Sequence, residues 1–213
     1  MTRIQGSALQ FQGFSMNTHD EITQVLKSTA YHEAGHIVAA VLQGMPIQDG
    51  GIHIDMEGSG VAYYCHRQPG VSGDSESDRD ERERTIVALY AGRIGQFKSL
   101  PSIDYRDYPD SWKSDWATAT ELLWELSPFV DGLSDALFYA GAQQLVLKRW
   151  STIETLALAL WKKPTKPMQP GEFEKGWSHG QKKQEKYMSR SEVQAFFETL
   201  HIPCSLWEEY RAK

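Results

Sequence analysis

The chain has no apolar run long enough to cross a bilayer. Its longest, Ile37 to Leu42 and Leu156 to Trp161, fall far below the roughly 18 residues of a spanning helix. Met1 to Met16 lacks the hydrophobic centre of a signal peptide. Cysteine is scarce: Cys65 and Cys204 stand far apart without C-x-x-C spacing, which excludes a disulfide framework and fits reduced thiols in a cytosol. Positive charge is in deficit, with 22 Lys and Arg against 28 Asp and Glu, so the basic stripe of a nucleic-acid or anionic-membrane surface is missing. There is no G-x-x-x-x-G-K-[ST] and no internal repeat, so nothing supports nucleotide binding. Together these absences predict a soluble, cytoplasmic protein that binds no nucleic acid, membrane or nucleotide.

What is present fits one core. At 213 residues and 40% hydrophobic, the chain suffices for a single substantial domain and is too short for an ATPase module plus a protease. Residues 1–19 are polar and aperiodic, an N-terminal arm; 20–213 read as one domain. A helix is predicted from Asp20 to Leu42, stopped by Gly44 and Pro46. A hairpin follows, with Gly51 to Met56 and Val61 to Cys65 on either side of the Glu57 to Gly60 turn. A second helix opens on the charge run Asp78 to Arg84, a solvated first turn, and runs to Gly92. Leu100 to Ser114 reads as loop, and helices are predicted from Asp115, over 134–160, and over Ser189 to Leu200. Residues 162–187 read as a polar loop insertion. The class is α+β, predominantly α-helical, with a small β-hairpin or sheet beside the first helix.

That first helix contains His32-Glu33-Ala34-Gly35-His36. Residues four apart on a helix lie on the same face, so both imidazoles can reach one divalent ion while Glu33 sits beside it, able to move a proton for a metal-activated water. The competing reading is a pair of satisfied core histidines. The apolar surroundings, Val38 to Leu42, bury the helix, and two His and a Glu in a buried helix need partners, which a metal supplies.

A catalytic zinc takes three protein ligands, and the third must come from downstream. The metzincin pattern would need Gly at position 39 and His at position 42, where Ala39 and Leu42 stand. Asp104, Asp107, Asp110, Asp115, Glu121 and Glu125 are the candidates.

Ala91-Gly92-Arg93-Ile94-Gly95-Gln96 followed by Ser114-Asp115-Trp116-Ala117-Thr118-Ala119-Thr120 resembles the "GGRAAE … NDLxxAT" pattern of the FtsH-type zinc peptidase domain. The resemblance runs from about Asp20 to Leu200 and implies an FtsH-like peptidase fold with Asp115 as third metal ligand. It also implies that the sheet edge near the first helix, here Ile52 to Met56, receives substrate backbone by strand addition. The chain departs from the family at Gln96, where the family has Glu, and in lacking the membrane segments and ATPase module.

The reading is a soluble, ATP-independent metallopeptidase: Zn2+ held by His32, His36 and Asp115, with Glu33 as general base. The partner is a protein or peptide substrate, and a homo-oligomer is left open. The alternative is a catalytically silent relative serving as an interaction or regulatory module. His53 and His66 on the hairpin read as surface or half-buried residues, and Trp112, Trp116 and Trp124 as core packing.

Overall fold

The computed structural model describes residues 19–56, 58–70, 73, 75–100, 111–129, 134–167 and 184–204. Residues 1–18 of the expected arm and the carboxylates Asp104, Asp107 and Asp110 lie outside them, as does the side chain of Trp112, whereas His19, expected in the arm, opens the first helix. The elements are α1 (His19–Leu42), β1 (Ile47–Asp55), β2 (Gly60–Tyr64), α2 (Glu76–Ser99), α3 (Ser111–Leu126), α4 (Asp135–Lys148), α5 (Trp150–Trp161), β3 (Lys166–Pro167), β4 (Gln184–Met188) and α6 (Arg190–Thr199). The described fold is α+β and mostly helical, with a four-stranded antiparallel sheet.

α1 is the axis of the core. From Ser28 to Val41 every residue is buried, because α2, α5 and the sheet all pack against it. A helix enclosed on all sides has no solvent face to keep, and its polar residues, Ser28, Thr29, His32, Glu33 and His36, are buried against neighbouring elements instead of facing water. Ile37 and Val38 are fully buried, each contributing roughly 1.5–3 kcal/mol. α2 begins at a capping box in which Ser75 Oγ accepts from the Asp78 N–H while Asp78 accepts from the Ser75 N–H. Its first turns are not wholly solvated as expected: Arg82 is buried, donating to Glu125 at 2.8 Å and to the Gly73 carbonyl at 2.8 Å.

The expected helix over 134–160 is two helices. Arg149 leaves the helical region (φ −113°, ψ 19°) between α4 and α5. α4 buries Phe138, Ala142 and Val146 and packs mainly on α2; α5 buries Ile153, Leu156, Ala157 and Leu160 and packs on α1, with Trp150 stacked on Tyr31 at 5.5 Å. One straight rod could not serve both partners, and no Gly or Pro marks the bend.

The sheet order is β2-β1-β4-β3. The segment read as a polar loop insertion therefore supplies two strands, and β4 pairs with β1, setting Met188 opposite Ile52 and Glu185 opposite Asp55. This overturns the expectation that Ile52 to Met56 is an open edge: β1 lies between two strands. Among the described residues the edge nearest α1 is β2. His53 is likewise not a surface residue; it is buried, its Nδ1 2.8 Å from Glu185 Oε2 on β4. Trp116 and Trp124, expected in the core, are exposed at 47% and 75%, since α3 buries Ala119, Leu122 and Leu126 instead.

Candidate metal centre

His32 and His36 project from the same face of α1, both buried. α3 brings Asp115 to meet them. His32 Nε2 lies 2.9 Å from Asp115 Oδ2, His36 Nε2 lies 3.1 Å from the same oxygen, and the two Nε2 atoms are 2.9 Å apart. The rings stand nearly perpendicular at 86°, which lets both Nε2 atoms point to one place. Asp115 sits in the second turn of α3, so it is not the macrodipole-favoured carboxylate of a first turn. The other described candidates are elsewhere: Glu125 is held by Arg82 and the Gly70 N–H, and Glu121 is exposed.

Two imidazole nitrogens and a carboxylate oxygen crowded this closely need positive charge among them. The His36 Nδ1–H donates to the Ala88 carbonyl at 2.9 Å, which leaves its Nε2 lone pair aimed at the cluster. Tetrahedral zinc with ligand bonds near 2.0–2.1 Å sets its ligands about 3.3 Å apart, a few tenths beyond the observed spacing and within reach of small side-chain rotations. The buried group could hold a metal ion. With protons alone in the cluster, burial works against a charge on His36, but the Asp115 carboxylate and its hydrogen bond outweigh it and push His36 up to about 9. Burial opposes the charge on Asp115 too, and the two imidazoles overcome it, holding that carboxyl well below the usual carboxylate range.

α2 is shaped around this cluster. A Cβ on Gly92 would stand 2.3 Å from His36 Cε1 and 2.4 Å from His36 Nε2, and one on Gly35 would stand 2.5 Å from the Ala91 carbonyl oxygen. The helices cross closely only because both positions lack a side chain. Gly92→Ala is thus expected to push the His36 ring off its rotamer and weaken zinc binding by about 10- to 100-fold, the range seen when residues that orient ligands are lost. Competition against a chromophoric chelator measures it; unchanged affinity would show that the ring has room to spare. Gln96 is fully buried one turn further along α2, its amide donating to Ser28 Oγ at 3.4 Å, so it reaches α1 one turn before His32 and not the cluster itself. Two buried atoms here, Gln96 Oε1 and His32 Nδ1, have no hydrogen-bond partner among the described residues.

Glu33 is not one of the three convergent ligand residues, and among the described residues it forms no ion pair. It is buried against the start of β2, where a Cβ on Gly60 would lie 2.6 Å from Glu33 Oε1. Burial pushes its carboxyl up, with His32 and His36 pulling the other way. Thr29 Oγ1, donating to the Gly58 carbonyl at 3.0 Å, ties the β1–β2 turn to α1 and holds β2 over Glu33. The four residues open into a cavity of about 330 Å³ walled by β2 and by Ser114 and Thr118 of α3. Two of its wall residues carried no functional signal in the sequence. Tyr64 is buried with its ring 6.3 Å from that of His36, and burial beside Asp115 and Glu33 keeps its hydroxyl protonated. His66, half-buried as expected, donates its Nδ1–H to the Tyr64 carbonyl at 3.1 Å and is held low by burial, hence neutral.

Compared with models of known protein families and with the sequences of characterised proteins, the chain matches none. The likeness to the FtsH-type peptidase domain rests on the motif residues alone.

Proposed function

We propose that the protein is an ATP-independent zinc metallopeptidase, soluble and cytoplasmic, in which His32, His36 and Asp115 hold the metal and Glu33 moves the proton. The observation that carries this reading is Glu33: a buried carboxylate facing the cavity, beside three convergent ligand atoms and not one of them. A mere metal-storing or structural site has no use for it. The nitrogen-rich, three-ligand set suits zinc. Bound zinc would supply Lewis acidity that polarises a carbonyl and acidifies water to a pKa of about 7.

The chain's own groups supply the rest. Glu33, with its proton affinity raised by burial, accepts a proton from the attacking water and returns it to the leaving amine. The Tyr64 O–H remains a donor at the wall. β2, edge strand of the described sheet, runs along the cavity and offers backbone groups to an extended peptide. Against the silent-module reading stands the convergence of the three ligand atoms and Glu33 on one cavity.

Purified protein is expected to carry close to one zinc per chain and to cleave unfolded casein without nucleotide, activity vanishing with chelator and returning with zinc. One equivalent of iron in place of zinc, or a zinc-loaded protein inert toward every unfolded substrate, would reject the reading.

A further inference from the structure

Beside the metal cavity lies a second cavity of about 230 Å³, between the end of α1, the chain leaving β2 and the side of α2. His66 and Gln68 line both. His66 is pinned in that shared wall by its bond to the Tyr64 carbonyl, its ring 5.2 Å from that of Tyr64, and the Gln68 side chain contacts its other nitrogen. Met45, Pro46, Cys65 and Thr85 are among the residues that line it. The charges at its rim answer one another: Arg67 pairs with Asp78 at 3.0 Å and Glu81 at 3.6 Å, and Arg84 pairs with Asp80 and donates to the Gln43 carbonyl at 3.2 Å. Thr85 is occupied as well, donating to the Glu81 carbonyl and accepting the Arg67 N–H. The charges at the rim are thus largely neutralised by their neighbours, and Met45, Pro46 and Cys65 offer an apolar group a surface from which only water need be displaced.

We infer that this second cavity is a side-chain pocket of the substrate cleft, taking one Leu-, Met- or Phe-sized residue of a peptide laid along β2. The inference rests on the peptidase reading for its substrate and adds the selectivity. The metal cavity and the pocket adjoin, sharing His66 and Gln68 as a common wall, and the chain that forms β2 leads from Gly60, beside Glu33, to Cys65 in the pocket. That is five residues, about 16 Å of extended chain. For a substrate strand antiparallel to β2, the apolar residue lies on the N-terminal side of the scissile bond.

Cys65 gives a reporter that needs no turnover. The zinc-loaded full-length Glu33→Gln variant is alkylated with iodoacetamide in the presence of Gly/Ser heptapeptides carrying a single Leu, or Gly in its place. Modification of Cys65 and of Cys204, an internal control, is read by peptide mapping. The leucine peptide is expected to slow Cys65 about tenfold at ten times its Kd, leaving Cys204 unchanged, and to bind about 10- to 100-fold more tightly than its glycine counterpart. In Glu33→Gln/Cys65→Phe, which fills the pocket and removes the thiol, the ratio of the two peptides' affinities, read by isothermal titration calorimetry in both variants, should collapse toward one. Equal protection by the two peptides, protection of both cysteines, or none at all overturns the pocket. Failure of the peptidase reading appears separately, as a parent protein that cleaves nothing.

Discussion

Asp115→Ala is expected to abolish stoichiometric zinc binding at micromolar metal, an effect as large as that of His36→Ala. Structural zinc sites bind with roughly 10–16 kcal/mol spread over four ligands, so one ligand carries about 3 kcal/mol, worth a hundredfold or more. The variant also reveals how protons and metal compete. With His36 raised to about 9 by Asp115, its Nε2 is protonated at neutral pH, and zinc must displace that proton. Apparent zinc affinity of the parent should rise about tenfold per unit between pH 7 and 9 and then flatten. Stability of the metal-stripped protein has the opposite slope. A histidine whose folded pKa exceeds its ordinary value of about 6.5 stabilises the fold below 6.5, and that contribution is lost as pH rises through about 9. Both slopes should disappear in Asp115→Ala. Metal analysis and urea unfolding at several pH values decide the matter. Full zinc in Asp115→Ala, with loss instead in Asp104→Ala, Asp107→Ala or Asp110→Ala, would show that the third ligand is assigned wrongly.

The parts of this site legible in the sequence were those with local spacing. His32 and His36 need only the helical period, and the helix itself is announced by its apolar run and by Gly44 and Pro46 beyond it. Asp115 is different: six carboxylates compete in the sequence, only motif context singles one out, and it is α3 that carries it to the histidines. Gly92 was quoted as part of a motif, but its purpose, room for the His36 ring, belongs to the packing of α2 on α1 and appears in no single segment.

The sheet was half legible for the same reason. β1 and β2 are joined by a turn, so their pairing is local. β4, reading Gln184-Glu185-Lys186-Tyr187-Met188, is a strand because β1 stands ready to pair with it, and its composition alone says loop. Missing β4 also misplaced the sheet edge, since the side of β1 expected to receive substrate is the side that β4 covers. The burial of His53 follows from that same pairing.

Glu33→Gln should separate binding from chemistry. The amide keeps the shape of the carboxylate against Gly60 and leaves all three ligand atoms untouched, so zinc content should stay close to one per chain. What it loses is the lone-pair basicity that takes a proton from water. General-base contributions are typically 10²- to 10⁴-fold, so kcat for peptide cleavage should fall at least about a hundredfold while KM changes little. Removing a buried carboxylate whose pKa is pushed up by burial also removes a desolvation cost, so the variant should be no less stable than the parent in urea. Those three readouts distinguish the roles that Glu33 could have. A structural carboxylate would give lost stability with activity falling in proportion, and a fourth metal ligand would give lost zinc. Retained zinc, retained stability and a hundredfold loss of turnover belong to a general base, and a variant as active as its parent removes Glu33 from the mechanism.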